Sequence, residues 1–251
     1  MTIQPSESPH NIVIGVLALQ GAFIEHINYL HSVPTCHRLQ PAGYTIEAIP
    51  VRSVDELMKC QALILPGGES TVISHLASLT PGLLPALTTF AQNPAKAMWG
   101  TCAGMILMAD EDGIGGGKKK PVTGWNGVRG LKVWRNLYGG QLESFETALD
   151  IPYISNPSKP FNAVFIRAPA VYRLDSPPAS IPQTEVLASL SSDHLPPLPP
   201  SNHPTLGDPN PDHLAAVMIK QGKKMATSFH PELSGDIRLH EYWVEKCVLD
   251  R

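Results

Sequence analysis

One cysteine occupies a setting that favours nucleophilic chemistry. Cys102 has a glycine two positions away on each side, Gly100 and Gly104, and apolar runs precede and follow this motif. A Gly-x-nucleophile-x-Gly pattern is typical of a sharp turn from a strand into a helix. The glycines keep the turn tight and the space around the sulfur open, and the N-terminus of the next helix favours the thiolate. A buried structural cysteine is the alternative, but the paired glycines favour a nucleophile elbow at Cys102.

A candidate base and its orienting group lie further along the chain, in His230-Pro231-Glu232. A cysteine nucleophile requires a base, and the base requires a group that orients it. Because proline disfavours helical backbone in the preceding residue, His230 is predicted to be extended, with Glu232 on the same side. The carboxylate would then hold the imidazole nitrogen remote from the sulfur. The alternative is a surface turn. The other histidines lack a comparable setting, and three are expected on exposed helix faces: His26, His31 and His75.

Two backbone N–H groups are candidates for stabilising the oxyanion of a tetrahedral intermediate. One belongs to Ala103, at the start of the helix predicted after the cysteine. The other belongs to Gly68, because the Gly67-Gly68 turn follows a strand-like run and its peptide plane can rotate toward a substrate. Together with the cysteine and the histidine, these donors predict acyl transfer on a small carbonyl substrate.

Alternating strand-like and helix-like runs predict an α/β fold. The predicted strands are residues 11–19, 45–50, 62–65 and 97–100, with helical stretches between them. This alternation indicates a doubly wound, mostly parallel sheet with flanking helices, which binds ligands at the carboxyl ends of its strands. Gly67 and Cys102 both follow such ends. The 251 residues, 43% of them hydrophobic, suffice for a single domain over 1–251.

The second half of the chain is predicted in less detail. Strands are expected at 128–135, 141–149, 163–167 and 185–190, a closing hairpin at 214–220 and 225–229, and a final helix at 234–248. Ser70 or Thr71 is expected to cap the helix after the Gly67-Gly68 turn.

Two segments interrupt this pattern. Residues 110–120 are charged and glycine-rich and are predicted to form a flexible loop. A phosphate-binding loop is disfavoured there, because Asp112 and Lys119 stand where that motif needs glycine and Ser/Thr. Residues 175–212 hold ten of the 25 prolines and are predicted to be a partly disordered surface insertion with polyproline character. A ligand for a proline-binding domain is the alternative.

Composition restricts the partners and the compartment. The net charge of −3 gives no general attraction to nucleic acid or to an anionic membrane, and no apolar run approaches the length of a membrane span. The first eleven residues are polar and lack a signal-peptide core. Four cysteines without CxxC spacing favour a reducing, cytoplasmic location. No metal or cofactor is expected.

These motifs identify a resemblance. The chain closely resembles the glutaminase subunit of pyridoxal 5′-phosphate synthase, a class I, triad-type glutamine amidotransferase with a flavodoxin-like sheet. The residues responsible, which span nearly the whole chain, are GVLALQGAFIEH (15–26), LILPGGEST (63–71), GTCAG (100–104), RNLYGGQLESFE (135–146), FIRAP (165–169) and SFHPEL (228–233). GTCAG and SFHPEL mark the amidotransferase class, and the other segments mark the subfamily.

The resemblance implies a reaction and a set of roles. Cys102 would attack the side-chain amide of L-glutamine, with His230 moving protons and Glu232 orienting it, and water would release glutamate from the thioester. The glutamine site would consist of Gly67, Gly68, Glu69, Ser70, Arg135, Ile166 and Arg167. The ammonia would pass through a tunnel to a (β/α)8-barrel synthase subunit, with Gln20 at the interface. The family usually has a basic residue in place of Gly140 and an acidic one in place of Trp134.

Three other functions are consistent with part of the pattern. A triad amidotransferase that feeds another pathway is disfavoured by the segments around Gln20 and residues 143–146. A non-catalytic regulatory partner is disfavoured by the intact Cys102, His230 and Glu232. A cysteine hydrolase or chaperone on a similar sheet would leave Arg135 and the FIRAP segment without a purpose.

Overall fold

A computed structural model describes residues 10–33, 44–116 and 122–251. The strands are β1 (His10–Leu17), β2 (Tyr44–Val51), β3 (Ala62–Leu65), β4 (Ala97–Thr101), β5 (Ile114–Gly115), β6 (Leu131–Trp134), β7 (Phe145–Leu149), β8 (Phe161–Phe165), β9 (Ala170–Leu174), β10 (Glu185–Ser189), β11 (Ala216–Gln221) and β12 (Lys224–Thr227). The helices are α1 (Phe23–Ser32), α2 (Val54–Met58), α3 (Ser70–Leu79), α4 (Leu83–Gln92), α5 (Ala103–Met108), α6 (Pro211–Leu214) and α7 (Arg238–Trp243).

Seven strands form the central sheet, in the order β10-β11-β12-β4-β3-β1-β2. The run from β12 to β2 is parallel, and β10 and β11 join it antiparallel. The predicted mostly parallel, doubly wound α/β sheet is therefore confirmed. The carboxyl ends of β3, β4 and β12 lie side by side, so the segments after Leu65, Thr101 and Thr227 meet at one edge.

Both faces of the sheet are buried. In β4, Trp99 packs in a cluster with residues of α1 and α7, whereas its neighbour Met98 packs with residues of α2, α3, α4 and α5. All four residues of β3 are buried. Successive strand residues point to opposite faces, so a strand covered on both sides reads as a continuous apolar run.

Several predicted boundaries and one predicted helix cap are wrong. The strand predicted at 141–149 is a 3₁₀ turn, Gln141–Glu143, followed by β7. The final helix begins only at Arg238 and continues as a π-helical turn, Val244–Val248. Helix α3 has Glu69 at its N-cap, with no side-chain cap bond, so neither Ser70 nor Thr71 caps it. Strands β5 to β9 form two small sheets outside the main one, β5-β6-β9 and β7-β8, and tertiary packing decides their boundaries.

The proline-rich segment is packed against the fold, which corrects the expectation of partial disorder for 175–212. It supplies the edge strand β10, as expected, and its Leu187 and Leu206 are buried. The hydroxyl of Tyr172 in β9 donates to the carbonyls of Pro200 and Gly207, at 3.1 and 2.6 Å. In the 110–120 loop, residues 114 and 115 form strand β5, while residues 117–120 fall outside the described ranges.

Candidate active site

Cys102 sits in a strained turn between β4 and α5. Its φ is 48° and its ψ is −102°, a conformation that a residue with a side chain rarely adopts. Its N–H donates to the carbonyl of Thr227 in β12, at 2.8 Å. A Cβ atom on Gly104 would overlap the carbonyl oxygen of Leu65 in β3. The positive φ lies at the cysteine itself, and Gly104 is required because α5 passes close to β3.

His230 and Glu232 follow β12 and lie beside this turn. The backbone of His230 has φ −101° and ψ 87°, and its N–H donates to the carbonyl of Val164 in β8, at 2.8 Å. The imidazole Nδ1 lies 2.7 Å from Oε1 of Glu232. The His230 ring and Cys102 line the same cavity. Because Nδ1 faces the carboxylate, Nε2 is the nitrogen available to the sulfur.

The electrostatics favour a charged imidazole. Burial alone would lower the pKa of His230, but hydrogen bonds to Cys102 and Glu232 outweigh it and raise the pKa to about 10. Burial also opposes the charge on Glu232, yet the neighbouring imidazoles of His26 and His230 lower the pKa of this carboxyl below its usual value. Of these two, His230 is the cationic partner at neutral pH, because the pKa of His26 is about 3. The carboxylate is thus placed to stabilise an imidazolium at His230.

His26 is buried, which corrects the expectation that it lies on an exposed helix face. It is 0% exposed, and its Nε2 lies 3.4 Å from Oε2 of Glu232. Its Nδ1 lies 2.9 Å from Nε2 of His240 in α7. Burial lowers the pKa of both His26 and His240 to about 3. His31 and His75 are exposed, as expected.

The Gly67-Gly68 turn lies against the histidine. A Cβ atom on Gly67 would overlap the His230 ring. The carbonyl of Gly67 accepts from the N–H of Ala22, at 3.1 Å, and Oε1 of Gln20 accepts from the N–H of Glu69, at 2.8 Å. The segment after β1 therefore holds this turn from both of its ends.

A cavity of about 410 Å³ opens over the cysteine. Nine of the predicted site residues line it: Gly68, Glu69, Ser70, Cys102, Ala103, Arg135, Ile166, Arg167 and His230. Gly67, Glu232 and Gln20 lie behind this wall, against His230 or Gly68. Three further lining residues were missed by the sequence reasoning: Ile106, Asn136 and Gln141. Asn136 and Gln141 belong to the segment RNLYGGQLESFE (135–146). Part of this segment was predicted to be a strand, whereas it forms a polar turn.

Residues 16–249 match the model of the SNO glutamine amidotransferase family. The chain belongs to this family. It is 38% identical over 235 residues to "Pyridoxal 5′-phosphate synthase subunit PdxT" of Pelotomaculum thermopropionicum, covering 94% of this chain and 95% of the relative. It is 36% identical over 237 residues to "Pyridoxal 5′-phosphate synthase subunit SNO1" of Saccharomyces cerevisiae, covering 94% and 93%. The resemblance inferred from the motifs is confirmed.

A solved structure agrees with this assignment. "Crystal structure of glutamine amidotransferase" matches with a TM-score of 0.63 at 36% identity, covering 92% of this chain and 97% of that one. The chain thus has the extent and the fold of this solved amidotransferase.

Three residues with positive φ line the cavity of this amidotransferase. Cys102, Asn136 and Arg167 have φ values of 48°, 54° and 48°, and all three line it. Arg135 donates from Nε to the carbonyl of Gly116, at 2.9 Å, and its Nη2 contacts the same oxygen. Nη2 of Arg167 lies 3.7 Å from Oε2 of Glu69, and both side chains are partly exposed. Positively and negatively charged groups therefore flank the cysteine.

A larger cavity, of about 630 Å³, lies where β4 and β12 begin, at the other end of the sheet. Its lysines are engaged: Lys220 pairs with Glu185 and Lys223 with Asp250, at 3.0 and 3.4 Å. Nζ of Lys224 donates to the carbonyls of Asn93 and Lys96, at 2.9 and 2.8 Å. The candidate nucleophile Cys102 and the candidate base His230 line the smaller cavity, so we place the chemistry there.

Two features are absent from the described ranges. Within them, no helix combines the length and apolar character needed to cross a bilayer. Among the same residues, no three His, Cys, Asp or Glu side chains cluster as metal ligands would.

Proposed function

We propose that this protein hydrolyses L-glutamine to L-glutamate and ammonia, as the glutaminase subunit of a pyridoxal 5′-phosphate synthase. The observation that carries the proposal is that Cys102 and His230, which are far apart in the chain, line one cavity, with Glu232 bonded to His230 behind its wall. Relatives of nearly the same length are named as subunits of that synthase.

The proposed reaction begins with attack of the Cys102 sulfur on the side-chain amide carbon of glutamine. The thiol proton resides on His230, as the imidazolium that its raised pKa favours, and the carbonyl oxygen becomes an oxyanion that accepts hydrogen bonds from the N–H groups of Gly68 and Ala103. The carbon–nitrogen bond then breaks, and His230 returns the proton to the departing nitrogen, which leaves as ammonia. Glu232 keeps the imidazole in one orientation and stabilises its charge throughout.

A thioester between Cys102 and the γ-glutamyl group remains after ammonia leaves. Water attacks its carbonyl carbon, and His230 takes a proton from this water. The carbon–sulfur bond breaks, the proton returns to the sulfur, and glutamate departs. Atoms and protons balance without a cofactor.

The charged groups around the cavity suit the amino-acid end of glutamine. Glu69 would bind the α-ammonium, and Arg167 the α-carboxylate, so the substrate would replace their weak 3.7 Å contact with two charge-assisted bonds. Arg135 supplies a second guanidinium on the same wall. Ser70, Gly67 and the backbone of Ile166, whose carbonyl lies 3.9 Å from the Cys102 sulfur, complete the proposed site.

Ammonia would pass to a (β/α)8-barrel synthase subunit, and Gln20 would lie at that interface. Gln20 already accepts from the N–H next to Gly68, so docking there would act directly on the proposed oxyanion hole. We further propose one domain over 1–251 and a cytoplasmic location. Free thiols at Cys60, Cys102 and Cys247 are consistent with a reducing compartment.

The test is release of ammonia and glutamate from glutamine, with and without the barrel subunit. The proposal predicts little hydrolysis by the isolated chain, strong stimulation by the barrel, and none by Cys102→Ala under either condition. Equal hydrolysis by Cys102→Ala would contradict the mechanism. Stimulation by a synthase of another pathway, but not by this barrel, would contradict the assigned partner.

A further inference from the structure

The proposed mechanism uses one oxygen of Glu232 and leaves the other unexplained. Oε1 faces His230, whereas Oε2 is buried and lacks a hydrogen bond of normal geometry among the described residues. A buried carboxylate oxygen without a donor is costly, and the side chain of Glu232 is 0% exposed. Nε2 of His26 lies 3.4 Å from Oε2.

The tautomer of His26 follows from its neighbours. Between Nδ1 of His26 and Nε2 of His240, 2.9 Å apart, one nitrogen donates and the other accepts. Nδ1 of His240 has no partner among the described residues, and a buried N–H without an acceptor is rarer than a buried lone pair without a donor. His240 therefore donates from Nε2 to His26, and the proton of His26 sits on Nε2, toward Glu232 and Thr101.

The surroundings hold His26 in this state. The titratable groups that face it are Glu232, His240 and His230, and the ring of Trp99 packs edge-on against it at 5.8 Å. Tyr29 stacks on His240 at 4.7 Å. The ring is thus a fixed neutral donor whose protonated Nε2 lies 3.4 Å from Oε2 of the carboxylate.

We propose that His26 is a positioning residue for the catalytic carboxylate: its Nε2–H holds Oε2 of Glu232, so that Oε1 stays directed at His230. The chain His240–His26–Glu232–His230–Cys102 joins helices α1 and α7 to the cysteine. This inference rests on the proposed function only for its kinetic readout, because alkylation of the cysteine reports the same arrangement without glutamine.

The test compares three variants in the complex with the barrel subunit. His26→Leu removes the donor at similar volume, and His26→Gln keeps an N–H close to the position of Nε2. His31→Leu, on the exposed face of the same helix, is the matched control. Loss of a hydrogen bond to a buried charge predicts that His26→Leu lowers kcat by about 10- to 100-fold with little change in KM. His26→Gln is expected to recover most of this loss, and His31→Leu to behave as wild type.

The second readout is the rate at which iodoacetamide alkylates Cys102 in the isolated chain, measured as a function of pH. Mass spectrometry of the peptide that contains Cys102 follows the reaction. Burial raises the pKa of Cys60 to about 11 and of Cys247 to about 12, so these thiols react little near neutral pH. His26→Leu is expected to slow alkylation of Cys102 near pH 7 by about tenfold, and His26→Gln to restore it. Should His26→Leu not fold, His26→Gln must still keep near-wild-type kcat and alkylation.

Three results would overturn the inference. One is His26→Leu with unchanged kcat and alkylation. Another is an equal loss of activity in His26→Leu and His26→Gln. Such a result would indicate a role in packing alone, which does not depend on the N–H. The third is a His26→Gln variant that folds without activity. If the wild type releases no ammonia but its alkylation depends on residue 26 as described, the proposed function fails and the inference stands.

Discussion

The carboxylate of Glu232 lies between two imidazoles that differ in charge, one cationic and one neutral. His230, 2.7 Å from Oε1, has its pKa raised to about 10, whereas the pKa of His26, beside Oε2, is lowered to about 3. At neutral pH the first ring can be an imidazolium and the second is a neutral donor. The surroundings thus give two chemically identical imidazole side chains different charges and different roles.

Replacing Glu232 by Gln tests the charge separately from the shape. The amide fills the same space but cannot stabilise an imidazolium at His230, and it presents an N–H to one of the two rings. We expect kcat for glutamine to fall by about 10²- to 10⁴-fold while KM changes little. Steady-state glutamate production in the presence of the barrel subunit measures this, with thermal unfolding as the control for folding. A kcat within twofold of wild type would remove Glu232 from the mechanism.

The buried histidines also predict how stability depends on pH. The folded-state pKa values of His26 and His240 are about 3, against 6.5 for an ordinary histidine, so the unfolded chain binds protons at these sites first as the pH falls. The free energy of unfolding should therefore decrease as pH falls below 6.5, by up to about 1.4 kcal/mol per pH unit for each histidine. His230, whose pKa is raised to about 10 in the folded protein, opposes this slope near pH 6.5 and adds none well below it, where it is protonated in both states.

Urea unfolding of the isolated chain between pH 7 and pH 5 measures this slope. A His240→Phe variant, which keeps an aromatic ring between Tyr29 and Trp99, should show a shallower dependence than wild type. The His31→Leu variant serves as the exposed control and should keep the wild-type slope. Equal slopes for wild type and His240→Phe would show that these histidines are not buried and neutral.

At the scale of elements, the turn from β4 into α5 sets the position of the sulfur. Helix α5 lies so close to β3 that a Cβ on Gly104 would overlap the carbonyl of Leu65, and a Cβ on Gly100 would meet the backbone of Gly104 at 2.5 Å. Both glycines are required by the spacing of elements, while the cysteine between them adopts the unusual φ. Strain at the reacting residue is maintained by the packing around it.

Gly104→Ala tests this packing. The added methyl group forces α5 away from β3, and overpacking of this kind costs about 1–3 kcal/mol. We expect urea unfolding to show that loss, and kcat to fall because the sulfur moves with the helix. Gly140→Ala is the control, because its Cβ would find its nearest neighbour at 3.6 Å, and it should unfold like wild type. Wild-type stability of Gly104→Ala would contradict the close approach of α5 to β3.

The core sheet was predictable because its strands are buried on both faces. Apolar runs such as residues 62–65, ended by glycine turns, leave few alternatives to a parallel strand. The residues of the proposed triad could be named from the sequence because local spacing constrains residues 100–104 and 230–232. The burial of His26 was not predictable, since helical periodicity shows which face a residue occupies. It does not show that α7 covers that face with His240. The polar turn around Gln141 was missed because small sheets depend on long-range packing.

At the scale of the molecule, one segment links the two halves of the site. Residues 20–26 run from the end of β1 into α1, where Gln20 holds the N–H of Glu69, Ala22 holds Gly67, and His26 reaches Glu232. The proposed oxyanion hole and the proposed triad therefore share one support. A partner that docks at the end of β1 can act on both.

Gln20→Ala tests that link. Without the side-chain carbonyl, the N–H of Glu69 loses its acceptor and the Gly67-Gly68 turn loses one of its two restraints. We expect the barrel-stimulated rate of glutamine hydrolysis to fall by about tenfold or more, with the fold unchanged. Ammonia release with and without the barrel, together with the affinity of the two subunits, measures this. Unchanged stimulation and affinity would place Gln20 outside the interface and the oxyanion hole.

Hydroxylamine trapping tests the central claim most directly. The complex with the barrel subunit is given glutamine and increasing hydroxylamine, and γ-glutamyl hydroxamate, glutamate and ammonia are measured together. A thioester on Cys102 predicts that hydroxamate replaces glutamate while ammonia is released before the partition, and that Cys102→Ala forms neither product. Glutamate production with no hydroxamate, or by the Cys102→Ala variant, would contradict the account.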